Sequence, residues 1–282
     1  MSARRARLRA PAKLTRSLRV VGRRADGYHL LQAEMVSLDW GDDLLIGPGS
    51  GLDLVDQTPW PDMAIPSGPD NLAARALSLV GREAAIRLTK RIPAGAGLGG
   101  GSSDAAAVLR WAGVAADRSG FERAAQLGAD VPFCLLGGRA RVSGVGERVE
   151  ALEPLELEVS LLLVPLACST PAVYAEWDRM HPDGPAAPAL APAEGAGPVN
   201  DLEAAALAGA VNDLEAAALA VEPGLARWRD AWAEAIGLAP RLAGSGSTWF
   251  LEEARPDLAG PFPNPDGSGP PGYVVVTRTD RP

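Results

Sequence analysis

The chain has 282 residues, a length that fits about two domains of ordinary size or one large domain. Its 27 Lys and Arg against 35 Asp and Glu give a net charge of −8, which argues against sequence-independent nucleic-acid binding because that needs clustered positive charge. Two cysteines, neither in a CxxC pair, exclude a disulfide framework and a zinc ribbon. Two histidines exclude a multi-histidine metal site, so no metal-ligating residue is predicted.

No segment of the sequence has the features of a membrane span or a signal peptide. The longest apolar stretch, Leu161–Cys168, is far shorter than the roughly 20 residues that a membrane helix needs. The Arg-rich N-terminus is followed by further basic residues instead of an apolar segment. We therefore expect a cytoplasmic protein without a membrane partner.

Short apolar runs separated by Gly, Asp and Pro predict strands through residues 7–60, namely LRVVGRR, MVSLDW, DLLIGPG and LDLVDQ. A helix follows over LAARALSLVGRE, with Asp70 or Asn71 as its N-cap. The alternating residues 84–93 predict a strand, and SSDAAAVLRWAGVAA predicts a helix after a glycine-rich loop.

In the second half, a capping box of Ser119 and Glu122 predicts a short helix that ends at Gly128. ARVSGVGERVE and EVSLLLVPL are predicted strands, and Thr170 followed by proline predicts a helix start with Thr170 as the cap. Ten Pro or Gly in residues 256–272 exclude a helix there. VNDLEAAALA occurs at 199–208 and again at 211–220, which we interpret as a local duplication that lengthens a helical segment.

The glycine-rich loop is the most informative stretch. Its glycines permit tight turns and bring bare N–H groups close to a ligand, and the following helix N-terminus adds unpaired donors, so the loop suits phosphate oxygens. The lysine of a Walker A loop is absent. Two serine hydroxyls are available for a phosphate or for the water shell of Mg²⁺. The predicted nucleotide-binding residues are Pro93, Ala94, Gly95, Ala96, Gly97, Leu98, Gly99, Gly100, Gly101, Ser102 and Ser103.

Gly95, Gly97 and Gly100 also satisfy GxGxxG, so a dinucleotide-binding oxidoreductase is an alternative. That fold needs an acidic residue at the end of a second strand about 20 residues later. The nearest acid, Asp117, lies in a predicted turn between helices. The sequence therefore disfavours the dinucleotide interpretation.

PAGAGLGGGSSD resembles the ATP loop of the GHMP kinases, a family of small-molecule kinases. Three further segments resemble motifs of one branch, the 4-diphosphocytidyl-2-C-methyl-D-erythritol kinases. They are APAKLTRSLRVVGRRADGYHLLQ (10–32), LGADVPFCLLGGRARVSGVGE (127–147) and the pair VNDLEAAAL and PRLAGSGSTWF (240–250). The motifs occur in the family's order and span about residues 10–250.

The resemblance implies an α+β protein of two lobes, with the active site in the cleft between them. Residues 1–152 would form an N-terminal strand-rich ATP lobe, and residues 153–282 a C-terminal α/β lobe. The implied activity is phosphorylation by ATP, with Mg²⁺, of the 2-hydroxyl of a cytidine-diphosphate-linked methylerythritol in the non-mevalonate isoprenoid route. The implied partner is thus a small-molecule substrate and not a nucleic acid.

Two charged residues are candidates for the chemistry. A carboxylate at Asp130 can accept a proton from an attacking hydroxyl, although an Asp there also fits a helix cap. A lysine at position 13 can hold that carboxylate ionised and offset charge on the phosphoryl group, although an exposed strand lysine fits as well. The resemblance implies that Lys13 and Asp130 are the catalytic pair.

The resemblance also implies a substrate pocket. Tyr28 and His29 would address the cytosine, and Tyr174 would supply the opposite stacking face. Gly244 belongs to a glycine turn that closes over the substrate's phosphates in the family. The full set of implied substrate-binding residues is Thr15, Tyr28, His29, Thr170, Tyr174, Gly244 and Ser245.

Thr15 stands where the family usually has Asn, which puts rate or substrate placement in question. Two alternatives within the same fold stay open, and Thr15 bears on the second. One is another GHMP kinase that acts on a mevalonate-type or sugar substrate. The other is a relative that binds ligand without turnover.

Overall fold

A computed structural model of the chain describes residues 5–61, 65–185 and 211–280. Two sheets and a set of helices form an α+β architecture, as predicted. The first sheet has the order β3-β4-β2-β5-β6, with β1 also paired to β2, and only β3 and β4 are parallel. Its strands are β1 (Ala6–Arg23), β2 (His29–Gly47), β3 (Gly51–Asp56), β4 (Ala85–Lys90), β5 (Arg139–Gly144) and β6 (Arg148–Ala151).

The second sheet is antiparallel and has the order β10-β11-β7-β9-β8. Its strands are β7 (Glu158–Leu163), β8 (Arg241–Leu242), β9 (Trp249–Leu251), β10 (Gly260–Phe262) and β11 (Gly272–Arg278). The described helices are α1 (Leu72–Leu79), α2 (Gly100–Trp111), α3 (Arg118–Ala125), α4 (Val131–Leu136), α5 (Thr170–Met180), α6 (Glu215–Val221) and α7 (Gly224–Ile236). None of these helices is long and apolar enough to cross a membrane.

The first two strands are much longer than their apolar runs suggest. MVSLDW and the first five residues of DLLIGPG belong to one strand, β2, which pairs with β1 along almost its whole length. The register shifts between Pro11 and Lys13 and again between Thr15 and Ser17. Between these irregularities residues 12–15 are all buried, because the glycine-rich loop packs on this part of the strand. The polar side chains of Lys13 and Thr15 therefore lie inside the molecule.

Three helix starts differ from the prediction. The cap of α3 is Asp117, which accepts the N–H of Gly120, so the Ser119 capping box is wrong. Helix α5 is capped by Ser169, and Thr170 is its first residue. Helix α2 begins at Gly100 and ends at Trp111, so two loop glycines belong to its first turn. In α3 and α5 a neighbouring side chain, Asp117 or Ser169, accepts the free N–H in place of the predicted cap. Asn71 caps α1, as predicted.

The structure describes the Pro/Gly run and the second copy of the repeat. The Pro/Gly run contains one 3-10 turn (Pro256–Leu258) and β10, which forms the edge of the second sheet, so it holds no α-helix. The second copy of the repeat supplies Asn212 and all of α6 except its last residue, Val221. The first copy, 199–208, lies outside the described residues.

Candidate active site

The glycine-rich loop is built on backbone conformations that favour glycine. Gly95, Gly97 and Gly99 have φ of +71°, +77° and +66°. A Cβ on Gly97 would lie 2.6 Å from the carbonyl oxygen of Gly246, and one on Gly99 would lie 2.6 Å from Cγ of Lys13. Since neither position has room for a side chain, these two glycines let the loop pack against β1 and against the 243–248 turn.

The helix that follows presents free donors to the loop. Its first helical hydrogen bond runs from the N–H of Ser103 to the carbonyl of Gly99, so the N–H groups of residues 100–102 have no partner within the helix. Ser102 is partly exposed, and Ser103 is buried. A cavity of about 310 Å³ lies between the loop and residues 65–72. It combines apolar walls with backbone donors, which suits a nucleotide.

Lys13, Thr15 and Asp130 form a group that we call the reaction-centre cluster. The Lys13 Nζ atom lies 3.3 Å from Oδ2 of Asp130 and donates to Oγ1 of Thr15 at 3.1 Å. The backbone N–H of Lys13 donates to the carbonyl of Leu98, which fixes the lysine beside the glycine-rich loop. The Asp130 side chain is 32% exposed whereas that of Lys13 is 7% exposed, so the carboxylate faces open space.

The 243–248 turn borders this cluster. A Cβ on Gly244, whose φ is +61°, would lie 3.6 Å from Oγ1 of Thr15 and 3.9 Å from Nζ of Lys13. Asn212 holds the turn in place, because its Nδ2 donates to the carbonyls of Leu242 and Gly244 at 3.0 and 2.7 Å. The hydroxyls of Thr170 and Ser245 are hydrogen bonded to each other at 2.8 Å.

The three predicted pyrimidine-binding residues differ in exposure. The ring of Tyr28 is exposed, and the guanidinium of Arg24 lies 5.8 Å from its centroid. The ring of Tyr174 stacks on His29, with centroids 4.7 Å apart, so one of its faces is already covered by this histidine. Burial raises the pKa of the Tyr174 hydroxyl, which keeps it protonated.

A second group of charges, which we call the brace cluster, was not predicted from the sequence. Lys90 donates to Oδ2 of Asp42 and, at 2.7 Å, to Oδ2 of Asp104. Asp42 also accepts the backbone N–H groups of Arg91 and Ile92 at 2.5 and 2.9 Å. The cluster therefore ties β2 to the end of β4 and to the first turns of α2, on both sides of the glycine-rich loop.

Burial dominates the electrostatics of the brace cluster. Burial raises the pKa of Asp104 to about 7, and the nearby negative charge of Asp42 adds to this, although Lys90 acts in the opposite direction. Burial alone would lower the pKa of Lys90, but the two carboxylates outweigh it and raise the pKa. The Oδ1 atom of Asp104 has no hydrogen-bond partner among the described residues. A clue was present in the sequence, since Lys90 continues the alternation of the buried Ile86 and Leu88.

The chain is similar to one protein family and to several named kinases. The family of GHMP kinases N terminal domain matches residues 71–138. The 4-diphosphocytidyl-2-C-methyl-D-erythritol kinase of Paracoccus denitrificans is 43% identical over 276 residues, which cover 90% of this chain and 92% of that protein. The kinase of the same name from Paramagnetospirillum magneticum is 41% identical over 267 residues, 88% of this chain and 90% of that protein.

The chain is also similar to solved structures of kinases. A crystal structure of a 4-(cytidine 5'-diphospho)-2C-methyl-D-erythritol kinase has a TM-score of 0.66 and 32% identity, and the match covers 98% of this chain and 100% of that chain. The mevalonate kinase of L. major, in complex with R-mevalonate, shares the fold at a TM-score of 0.61 and 14% identity over 99% and 97% of the two chains. The chain therefore belongs to the 4-diphosphocytidyl-2-C-methyl-D-erythritol kinase family, within the GHMP kinase fold.

Proposed function

We propose that this chain transfers the γ-phosphoryl group of ATP to the 2-hydroxyl of 4-diphosphocytidyl-2-C-methyl-D-erythritol, a step of the non-mevalonate isoprenoid route. The observation that carries the proposal is the contact of 3.3 Å between Lys13 and Asp130 beside the glycine-rich loop. Phosphoryl transfer needs mainly positioning and charge stabilisation, and this pair with the loop supplies both. The proposal places the reaction in the cytoplasm. It also divides the chain into an N-terminal ATP lobe, residues 1–152, and a C-terminal lobe, residues 153–282.

The reaction uses three parts of the site. The nucleotide occupies the cavity beside the loop, with its phosphates against the free N–H groups of residues 100–102. The substrate hydroxyl donates a hydrogen bond to Asp130, which takes the proton as the oxygen bonds to the γ-phosphorus. The bond from that phosphorus to the bridging oxygen breaks, and ADP leaves. Lys13 stabilises the negative charge on the carboxylate and on the transferring group.

Mg²⁺ would enter with the nucleotide, where it neutralises charge on the phosphate oxygens. Among the described residues no group of three or more His, Cys, Asp or Glu is arranged to hold a metal ion. Mg²⁺ keeps several waters and binds through substrate phosphates with one or two protein oxygens. The hydroxyl of Ser102 at the start of α2 would be such an oxygen.

A substrate panel tests the proposal. Purified protein with ATP and Mg²⁺ is given the cytidylated methylerythritol, mevalonate, homoserine or galactose, and phosphorylated product is measured by ³¹P NMR. We expect turnover with the cytidylated alcohol alone. Turnover of another acceptor instead would assign the chain to a different GHMP activity. Binding of both ATP and the cytidylated alcohol without product would mark a non-catalytic relative.

A further inference from the structure

The imidazole of His29 is held by one carboxylate. Its Nε2 atom lies 2.7 Å from Oδ1 of Asp178, and the other carboxylate oxygen lies 3.3 Å from Arg23. Helix α5 carries Asp178 one turn after Tyr174, whose ring covers one face of the imidazole. The edge of Trp177 packs against the same ring with centroids 5.6 Å apart. The position and orientation of the ring are thus fixed from one helix.

The contact with Asp178 also decides which ring nitrogen carries hydrogen. An ionised carboxylate only accepts hydrogen bonds, so Nε2 must donate, and in a neutral imidazole Nδ1 is then left with a lone pair. No hydrogen-bond partner of Nδ1 is found in the part of the chain that the structure describes.

The other histidine has the opposite arrangement. Nδ1 of His181 lies 2.9 Å from the carbonyl oxygen of Trp177, which only accepts, so this nitrogen is the donor. The chain therefore holds two histidines in contrasting tautomers, and His181 serves as an internal reference.

We propose that Asp178 is a positioning residue that makes His29 an acceptor and thereby selects an aminated pyrimidine over its deaminated counterpart. Cytosine presents an amino donor at the position where uracil presents a carbonyl acceptor. A lone pair on Nδ1 binds the former and repels the latter. The inference rests on the proposed function, because it assigns His29 to the base of the cytidylated substrate.

A kinetic experiment measures this selectivity. Cytidylated and uridylated forms of the substrate are compared at pH 8, where an ordinary imidazole is neutral, for wild type, Asp178→Asn and Glu176→Gln. The Asn amide either donates to or accepts from Nε2, so the tautomer is no longer fixed. We expect the ratio of kcat/KM for cytidine over uridine to fall about tenfold in Asp178→Asn, chiefly through KM for the cytidylated form.

Glu176→Gln is the matched control. It removes the same charge from the same helix, but Glu176 pairs with Arg179 and not with His29. We expect its selectivity to equal that of wild type. An unchanged ratio in Asp178→Asn, or an equal fall in both variants, would overturn the inference.

A spectroscopic experiment tests the tautomer without turnover. Protein labelled with ¹⁵N-histidine gives signals from two rings only, and His181→Gln assigns them. We expect hydrogen on Nε2 of His29 and on Nδ1 of His181 in the wild type. Hydrogen on Nδ1 of His29 would contradict the role of Asp178. Failure of the wild type to phosphorylate the cytidylated alcohol would instead overturn the proposed function, while the NMR result would still report on the tautomer.

Discussion

The reaction-centre cluster and the brace cluster are built from the same residue types but differ in access. Each joins a lysine to aspartate across separate elements. The Asp130 side chain is 32% exposed, whereas those of Asp42 and Asp104 are at most 2% exposed. The partly exposed carboxylate of Asp130 can meet a substrate, whereas that of Asp42 is enclosed by the Lys90 ammonium and two backbone N–H groups. Solvent access, more than residue type, separates a reactive pair from a structural one.

The two clusters also satisfy their charges differently. In the brace cluster, two backbone N–H groups and one ammonium surround Asp42, so its charge is compensated within the protein. In the reaction-centre cluster, Lys13 is shared between Asp130 and the Thr15 hydroxyl. Substitutions in the reaction-centre cluster should therefore affect turnover, and substitutions in the brace cluster should affect folding.

The largest effect is expected from Asp130→Asn. The amide keeps the shape of the side chain but cannot accept the proton, so kcat should fall by about 10²- to 10⁴-fold. The melting temperature should stay close to that of wild type because the side chain is partly exposed. Steady-state kinetics and thermal unfolding check both statements. Turnover near the wild-type rate would remove Asp130 as the base.

Asp42→Asn should act on stability instead. The substitution removes one of the two carboxylates that balance the buried positive charge of Lys90. The free energy of unfolding should therefore fall by about 3–5 kcal/mol. The matched control is Asp43→Asn, since its carboxylate lies in an exposed pair with Arg91. The control should lose less than about 1 kcal/mol. Urea unfolding measures both, and equal losses would show that Asp42 is not a brace.

Asp104→Asn should change how stability depends on pH. The pKa of Asp104 is about 7 in the folded protein, above the ordinary 3.8, so the folded state binds the proton more tightly. Its contribution to stability is fully present below pH 3.8 and is lost as pH rises through about 7. The Asn variant should lack this loss. Its free energy of unfolding, relative to that of wild type, should therefore increase as the pH rises from 3.8 to about 7. Urea unfolding at a series of pH values measures this difference. A difference between the two proteins that does not change with pH would contradict the raised pKa of Asp104.

The smallest effect is expected from Thr15→Val. Lys13 would lose one acceptor, and a hydrogen bond of about 1 kcal/mol corresponds to a fall in kcat of roughly fivefold. Thr15→Ser keeps the hydroxyl and should retain wild-type turnover. Equal rates in the Val variant and in wild type would show that the hydroxyl does not help to hold Lys13.

Local sequence signals predicted the loop and most elements, and failed where a distant segment decides the outcome. The glycines at 95, 97 and 99 predicted a loop with tight turns, because the requirement for positive φ is a property of each residue. The length of β2 was missed, since pairing with β1 overrides the Gly and Asp that interrupt its apolar pattern. The brace cluster was missed because Asp42, Lys90 and Asp104 are far apart in the chain.

The sequence alone determined the family, the α+β class and the candidate residues, because motifs such as RADGYH and GADVPF are contiguous. The tertiary structure decided which of these residues lie together and what each is free to do. Asp130 is open, Tyr174 is covered on one face by His29, and Asp178 holds the imidazole. Distances, burial and hydrogen-bond direction depend on segments that meet only in the folded chain, so no local pattern encodes them.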